Sequence, residues 1–159
     1  MTTPFIDMQK IAHQAMLDYG FLYKFSPQEL KEAGSLQSQF DQKPKIPFRD
    51  LKDLLWSSID NIDSQDLDQL EYCERFQNRE IRVLVAVADV DSCVPSRSLI
   101  DRHAVHNGTS VYTGIEIFPM LPDRLSSNIT SLIPNAPRLA VVIEFFVRPD
   151  GSLRSGESC

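Results

Sequence analysis

Apolar residues in the first twenty positions recur at the spacing of one helical face. Met8, Ile11, Ala12, Ala15, Met16 and Tyr19 form that stripe, which predicts an amphipathic helix over residues 4–19. Thr3 suits its N-cap, Pro4 its first turn and Gly20 its stop. Ser26-Pro27-Gln28-Glu29 has the form of a capping box and predicts a short helix ending near Gly34. Periodicity is then lost, and glutamines and prolines up to Pro47 read as a linker or surface loop. The main fold begins near Phe48. Asp50 to Leu55 reads as a single helical turn and Trp56 to Ile59 as a short strand. Leu70 to Arg75 and Ile81 to Ala88 read as strands, with Gln77-Asn78-Arg79 as their hairpin turn. The second of these is a nearly unbroken β-branched run, a type usually buried on both faces. Ser98 to Asn107 reads as a helix and Leu125 to Leu132 as a short one. Leu139 to Val147 reads as another apolar strand, and Arg148-Pro149-Asp150-Gly151 as a turn.

These elements predict an α+β or α/β fold with a mixed sheet at its centre. The chain has 159 residues, 42% of them hydrophobic and 24% charged, which fits globular structure. No apolar run approaches the ~20 residues needed to span a bilayer. The N-terminus has no basic region followed by an apolar core, so no secretory signal is visible. Cys73, Cys93 and Cys159 are widely spaced and form no Cys-x-x-Cys pair. They indicate neither a zinc ribbon nor a disulfide framework, and a reducing cytoplasm is the expected setting. Sixteen Lys plus Arg against 22 Asp plus Glu give a formal charge of −6. That balance argues against holding nucleic acid by bulk charge, but permits an enzyme that holds it in a local groove.

The candidate chemistry lies between Trp56 and Leu70. Asp60, Asp63, Asp66 and Asp68 fall within nine residues, with no Lys or Arg among them. Carboxylates this close repel one another unless a cation lies between them, and hard divalent ions prefer oxygen ligands. A solvated acidic loop is the competing reading. An EF-hand counted from Asp60 fails, because Ile62 and Gln65 stand where an oxygen ligand and a glycine belong. His103 and His106 lie three apart on a predicted helix without the His-Glu-x-x-His zinc pattern, and read as surface or capping residues. Neither a nucleophile elbow nor a phosphate-binding glycine loop is present.

Five segments follow one another in order: Ile59-Asp60 with Asp66-Leu67-Asp68, Val85 to Val90, Ile100 to Ala104, Gly108 to Tyr112, and Phe118 to Ser126. Together they resemble the catalytic RNB domain of the ribonuclease II and ribonuclease R family, over roughly Asp50 to Leu153. Residues 1–47 would then be a helical lead-in and linker, and 48–159 the N-terminal half of the domain. The resemblance implies a 3′→5′ exoribonuclease that hydrolyses single-stranded RNA to nucleoside monophosphates with Mg²⁺ or Mn²⁺. It implies no membrane or DNA partner. The family's acidic motif is an aspartate, five other residues, then Asp-x-Asp-Asp. Asp60, Asp66 and Asp68 match its first three aspartates, and Gln69 stands where the fourth belongs. Asp60, Asp66, Asp68 and Gln69 are therefore the implied metal ligands, with Asp66 and Asp68 also in the catalytic role. Tyr112 matches an aromatic that stacks on RNA; a half-buried strand aromatic is its alternative reading. The chain would then be a truncation, a fragment, or one part of a split enzyme whose other half is a complementary polypeptide. A non-catalytic remnant that binds metal or RNA without turnover is the alternative.

Overall fold

The computed structural model describes residues 6–36 and 47–158. In chain order the elements are α1 (Met8–Asp18), α2 (Pro27–Ser35), β1 (Gln69–Arg75), β2 (Ile81–Ala88), α3 (Leu99–Asn107), β3 (Val111–Tyr112), β4 (Ile117–Phe118), a π-helical turn (Leu125–Ile129), β5 (Ala140–Val147) and β6 (Leu153–Ser158). They fall into two compact units. One comprises residues 1–36 and 94–124, the other residues 37–93 and 125–159. No helix among the described residues is long and apolar enough to cross a membrane.

In the helical unit, the side chain of Asp7 caps α1 by accepting a hydrogen bond from Lys10 N at 3.0 Å. The proposed Thr3 cap and Pro4 start lie outside the described residues, as does most of the expected linker. Gly20 follows the end of α1 at φ +80°, a left-handed conformation that glycine adopts at no steric cost. The capping box of α2 forms as expected: Ser26 Oγ accepts from Glu29 N, and the Glu29 carboxylate accepts from Ser26 N. Glu32, one turn further along, accepts from Leu99 N at 3.1 Å and Ile100 N at 3.2 Å. It thereby satisfies donors that the start of α3 leaves open.

His103 is not the surface residue expected from the sequence. It is 2% exposed, stacks against Phe25 and bonds Glu29 through Nδ1 at 3.0 Å. Asn107 donates one amide hydrogen to Leu22 O at 2.8 Å and lies 3.2 Å from His103 Nε2. The amide nitrogen is a donor, so Nε2 accepts and Nδ1 carries the proton toward Glu29. His106 does face outward, and its Nε2 lies 2.8 Å from Gly20 O.

The other unit is built on one sheet, in the order β1-β2-β5-β6. The α+β class is as expected. The sheet is antiparallel at every one of these pairings and not mixed. Register places Leu70, Ala86 and Val142 in one cross-strand row and Tyr72, Leu84 and Glu144 in the next. Leu84, Ala86 and Val142 form a buried core, with Leu51, Leu54 and Trp56 packed on it. Arg82 lies on the same face and pairs with Glu144 and, at 3.7 Å, with Glu74. Gly156 sits against Glu144 so closely that an added Cβ would lie 2.8 Å from its carbonyl oxygen.

Several expectations for the sheet unit change. Asp50 to Leu55 is a turn closed by Leu54 N to Leu51 O at 3.3 Å, not a helical turn. The strand expected at Trp56 to Ile59 reduces to a single bridge between Ser57 and Glu71. β2 is buried on one face only: Val87 is 42% exposed on the other, as are Val141 (49%) and Ile143 (47%) on β5. The hairpin at Gln77-Asn78-Arg79 is present, with Arg79 at φ +66°.

Glu29 supplies a pH-dependent element of the helical unit. Burial pushes its carboxyl up, but hydrogen bonds from the Ser26 backbone and hydroxyl, together with the bond to His103, hold it below its ordinary 4.5. A carboxyl lowered in the folded state contributes stability above its unfolded value, and that stability is lost as pH falls through the folded value. Thermal melts of the wild type should therefore fall off below pH 4.5, and Glu29→Gln should lose less over the same acid range. Parallel acid profiles for the two proteins would contradict this assignment.

Candidate metal and RNA site

The acidic segment has two parts that are tied to the fold differently. The outer part is a local turn in solvent. Ser58 Oγ donates to Asp60 Oδ2 at 2.7 Å, and Ser64 N donates to Asn61 O at 3.1 Å. Asp60 and Asp63 are exposed. The inner part, Gln65 to Asp68, is irregular but tied down by hydrogen bonds. Ser131 is 1% exposed, and its hydroxyl donates to Gln65 O at 2.6 Å while accepting from Leu67 N at 3.1 Å. Leu132 N donates to Leu67 O and Ala88 N to Asp68 O, both at 2.8 Å. Asp66 is half-buried and Asp68 exposed.

Ser131 is itself held from behind. Arg138 donates through Nε to Ser131 O at 3.1 Å and through Nη2 to Asn128 O at 3.0 Å. Thr130 N and Oγ1 both donate to Leu125 O, at 3.2 and 2.9 Å, and this i to i+5 closure makes the turn π-helical. The expected helix over Leu125 to Leu132 is thus a π-helical turn whose end receives the acidic segment. Sequence reasoning missed Ser131 and Arg138. Ser131 lies 64 residues after Leu67, and no local pattern signals a serine that serves a distant backbone.

The donor set suits a hard cation in kind: three carboxylates and one amide oxygen. Its placement does not. Among the described residues no group of three or more His, Cys, Asp or Glu is arranged to hold a metal. The fold brings Asp60, Asp66, Asp68 and Gln69 into one segment without gathering the three carboxylates about a point. Gln69 opens β1 and is exposed. Glu71, two residues on, has Oε2 buried without a hydrogen-bond partner.

Tyr112 belongs to the helical unit. It lies on β3, opposite Ile117, and is 62% exposed. The half-buried aromatic is therefore not what forms. Its hairpin is closed by Thr113, whose hydroxyl donates to Glu116 O at 2.6 Å and accepts from Glu116 N at 3.0 Å.

The sheet unit is thus an antiparallel sheet whose first strand is entered through an aspartate-rich segment. The RNB domain matches residues 48–158, and the chain belongs to that family. Ribonuclease R of Escherichia coli is 37% identical over 123 residues, covering 77% of this chain and 15% of the enzyme. Ribonuclease R of Mycoplasma pneumoniae is 37% identical over 144 residues, covering 89% of this chain and 19% of that protein. Mycoplasma genitalium RNase R, solved with ribose-methylated single-stranded RNA, superposes with a TM-score of 0.84 at 30% identity. That superposition covers 96% of this chain and 24% of the other. The chain thus spans less than a third of the length of each of these relatives.

Ser131→Ala would leave Leu67 N-H and Gln65 C=O without their shared partner. A buried group stripped of its hydrogen bond costs about 1–3 kcal/mol. Urea unfolding of Ser131→Ala should show a loss of that size, and an unchanged midpoint would show that the tie is dispensable.

Proposed function

We propose that this chain supplies the acidic segment and a base-stacking aromatic of a 3′→5′ exoribonuclease that shortens single-stranded RNA to nucleoside monophosphates in the cytoplasm. The observation that carries the reading is the RNB match across residues 48–158, which includes the whole anchored acidic segment. In this reading Asp60, Asp66, Asp68 and Gln69 face a Mg²⁺ or Mn²⁺ ion, and Tyr112 stacks on a base near the 3′ end. Such an ion activates water and neutralises phosphoryl charge when bound.

This chain's own contribution is positional. The ties from Ser131, Leu132 and Ala88 fix the backbone of Gln65 to Asp68, so that segment pays little ordering entropy when substrate arrives. Because three carboxylates are not gathered among the described residues, the reading includes a second polypeptide that completes the site. Gln69, neutral where the family motif has an aspartate, favours a second reading: an RNB domain that binds RNA without turnover.

The test is incubation with 5′-labelled single-stranded RNA and Mg²⁺ or Mn²⁺, alone and with a polypeptide that supplies the rest of an RNB domain. Stepwise shortening from the 3′ end is expected in the complemented mixture. Asp68→Asn should slow it by about 100-fold, on the order of 3 kcal/mol of transition-state stabilisation. RNA binding without shortening in any mixture would establish the second reading. Tyr112→Ala should weaken binding of single-stranded RNA by about 1–3 kcal/mol, read by fluorescence anisotropy; unchanged affinity would remove Tyr112 from the site.

A further inference from the structure

Tyr112 stands on a hairpin too short to hold its own shape. β3 and β4 meet through two residue pairs, Val111 with Phe118 and Tyr112 with Ile117, and a two-stranded ribbon by itself is marginal in water. Alternation along a strand sends the two pairs to opposite faces. Phe118 is 2% exposed, whereas Tyr112 and Ile117 are 62% and 56% exposed. The outward stance of Tyr112 therefore depends on what holds Phe118 in.

His13 of α1 holds it, and touches the hairpin at two residues at once. Its Nε2 lies 2.8 Å from Glu116 Oε2. Its ring meets Phe118 in an edge contact, with centroids 5.7 Å apart and planes inclined by 72°. Tyr23 completes the cluster, 4.9 Å from the His13 ring and 6.4 Å from that of Phe118. Leu22, beside Tyr23, is fixed through both main-chain groups: its N donates to Asn107 Oδ1 at 2.9 Å, and its O accepts from Asn107 Nδ2 at 2.8 Å. The His13 and Glu116 side chains are 27% and 33% exposed, so their bond is partly shielded from water. An ionised carboxylate only accepts, so His13 Nε2 carries the hydrogen. The hairpin turn is closed by the Glu116 main chain against Thr113. The bond from the Glu116 carboxylate to His13 is thus an external tie, from the hairpin to the helix behind it.

We propose that His13 is a positioning residue for RNA binding: by gripping Glu116 and Phe118 it sets β4, with which Tyr112 is paired, and so fixes where the Tyr112 ring stands. The proposal rests on the reading of Tyr112 as a base-stacking residue, and it gives the lead-in helix a part in that site. An aromatic already held in place loses less freedom when a base stacks on it.

All variants are made in the full chain. Amide hydrogen exchange over residues 110–118 reports the brace without RNA. Glu116→Ala, and His13→Phe, which keeps a ring and removes the donor, should each speed exchange there about tenfold, the order expected for losing one hydrogen bond to a charged group. Glu116→Gln should restore protection, because a carboxamide oxygen still accepts. The double variant should exchange no faster than either single one, since both remove the same bond. Unchanged exchange in the two single variants, or Glu116→Gln behaving like Glu116→Ala, overturns the proposal. Affinity for a fluorescein-labelled oligouridylate, read by anisotropy, reports the consequence. Glu116→Ala should weaken it about fivefold, and should have no effect in a Tyr112→Ala background. An equal loss in that background overturns the proposal, because the tie would then act by general destabilisation. Tyr112→Ala alone separates the two readings: unchanged affinity refutes base stacking, while faster exchange in Glu116→Ala still upholds the brace.

Discussion

The burial of Leu84, Ala86 and Val142 beneath Leu51, Leu54 and Trp56 is the constraint from which the rest of the sheet unit follows. Side chains alternate along a strand, so fixing Leu84 and Ala86 inward fixes every other residue of β2 outward. A slip of a single residue would turn the whole set over. With this register set, Ala88 N points at Asp68 O and closes the ladder at the mouth of the acidic segment. The same register sends Val83, Val85 and Val87 to the opposite side, where they meet Val141, Ile143 and Phe145 across the strands. One packing decision thus both positions the acidic segment and leaves an apolar face open.

The inner part of the acidic segment shows how a charged loop is held through its backbone. Its anchors are backbone groups, gripped by the Ser131 hydroxyl and by neighbouring amides. Arg138 lies behind that anchor and donates to carbonyls, not to carboxylates. Among the described residues the aspartate side chains are not gathered into a metal-type cluster. In the helical unit the balance is reversed. Glu29 and Glu32 are spent on structure, one in a capping box and against His103, the other on the first amides of α3.

Much of this was legible in the chain. The strands, the hairpin at Gln77-Asn78-Arg79, the capping box at Ser26 and the Gly20 stop all depend on neighbours a few residues away. The order of the acidic segment, the β-branched strand and the Tyr112 segment likewise carried the family. What was illegible depended on distant partners. His103 reads as a surface histidine until Glu29 and Asn107 close around it. Ser131 is unremarkable until Leu67 arrives.

The sequence by itself determined the periodicities, the caps and turns, and the list of oxygen donors, because each is written in residues close along the chain. Tertiary structure alone decided the antiparallel register, the single buried face of β2, the π-helical turn that receives the acidic segment, and the failure of three carboxylates to meet at a point. The physical reason is that local propensity sets which way a residue's own backbone bends, whereas burial, register and convergence are properties of pairs of segments brought together only when the core closes.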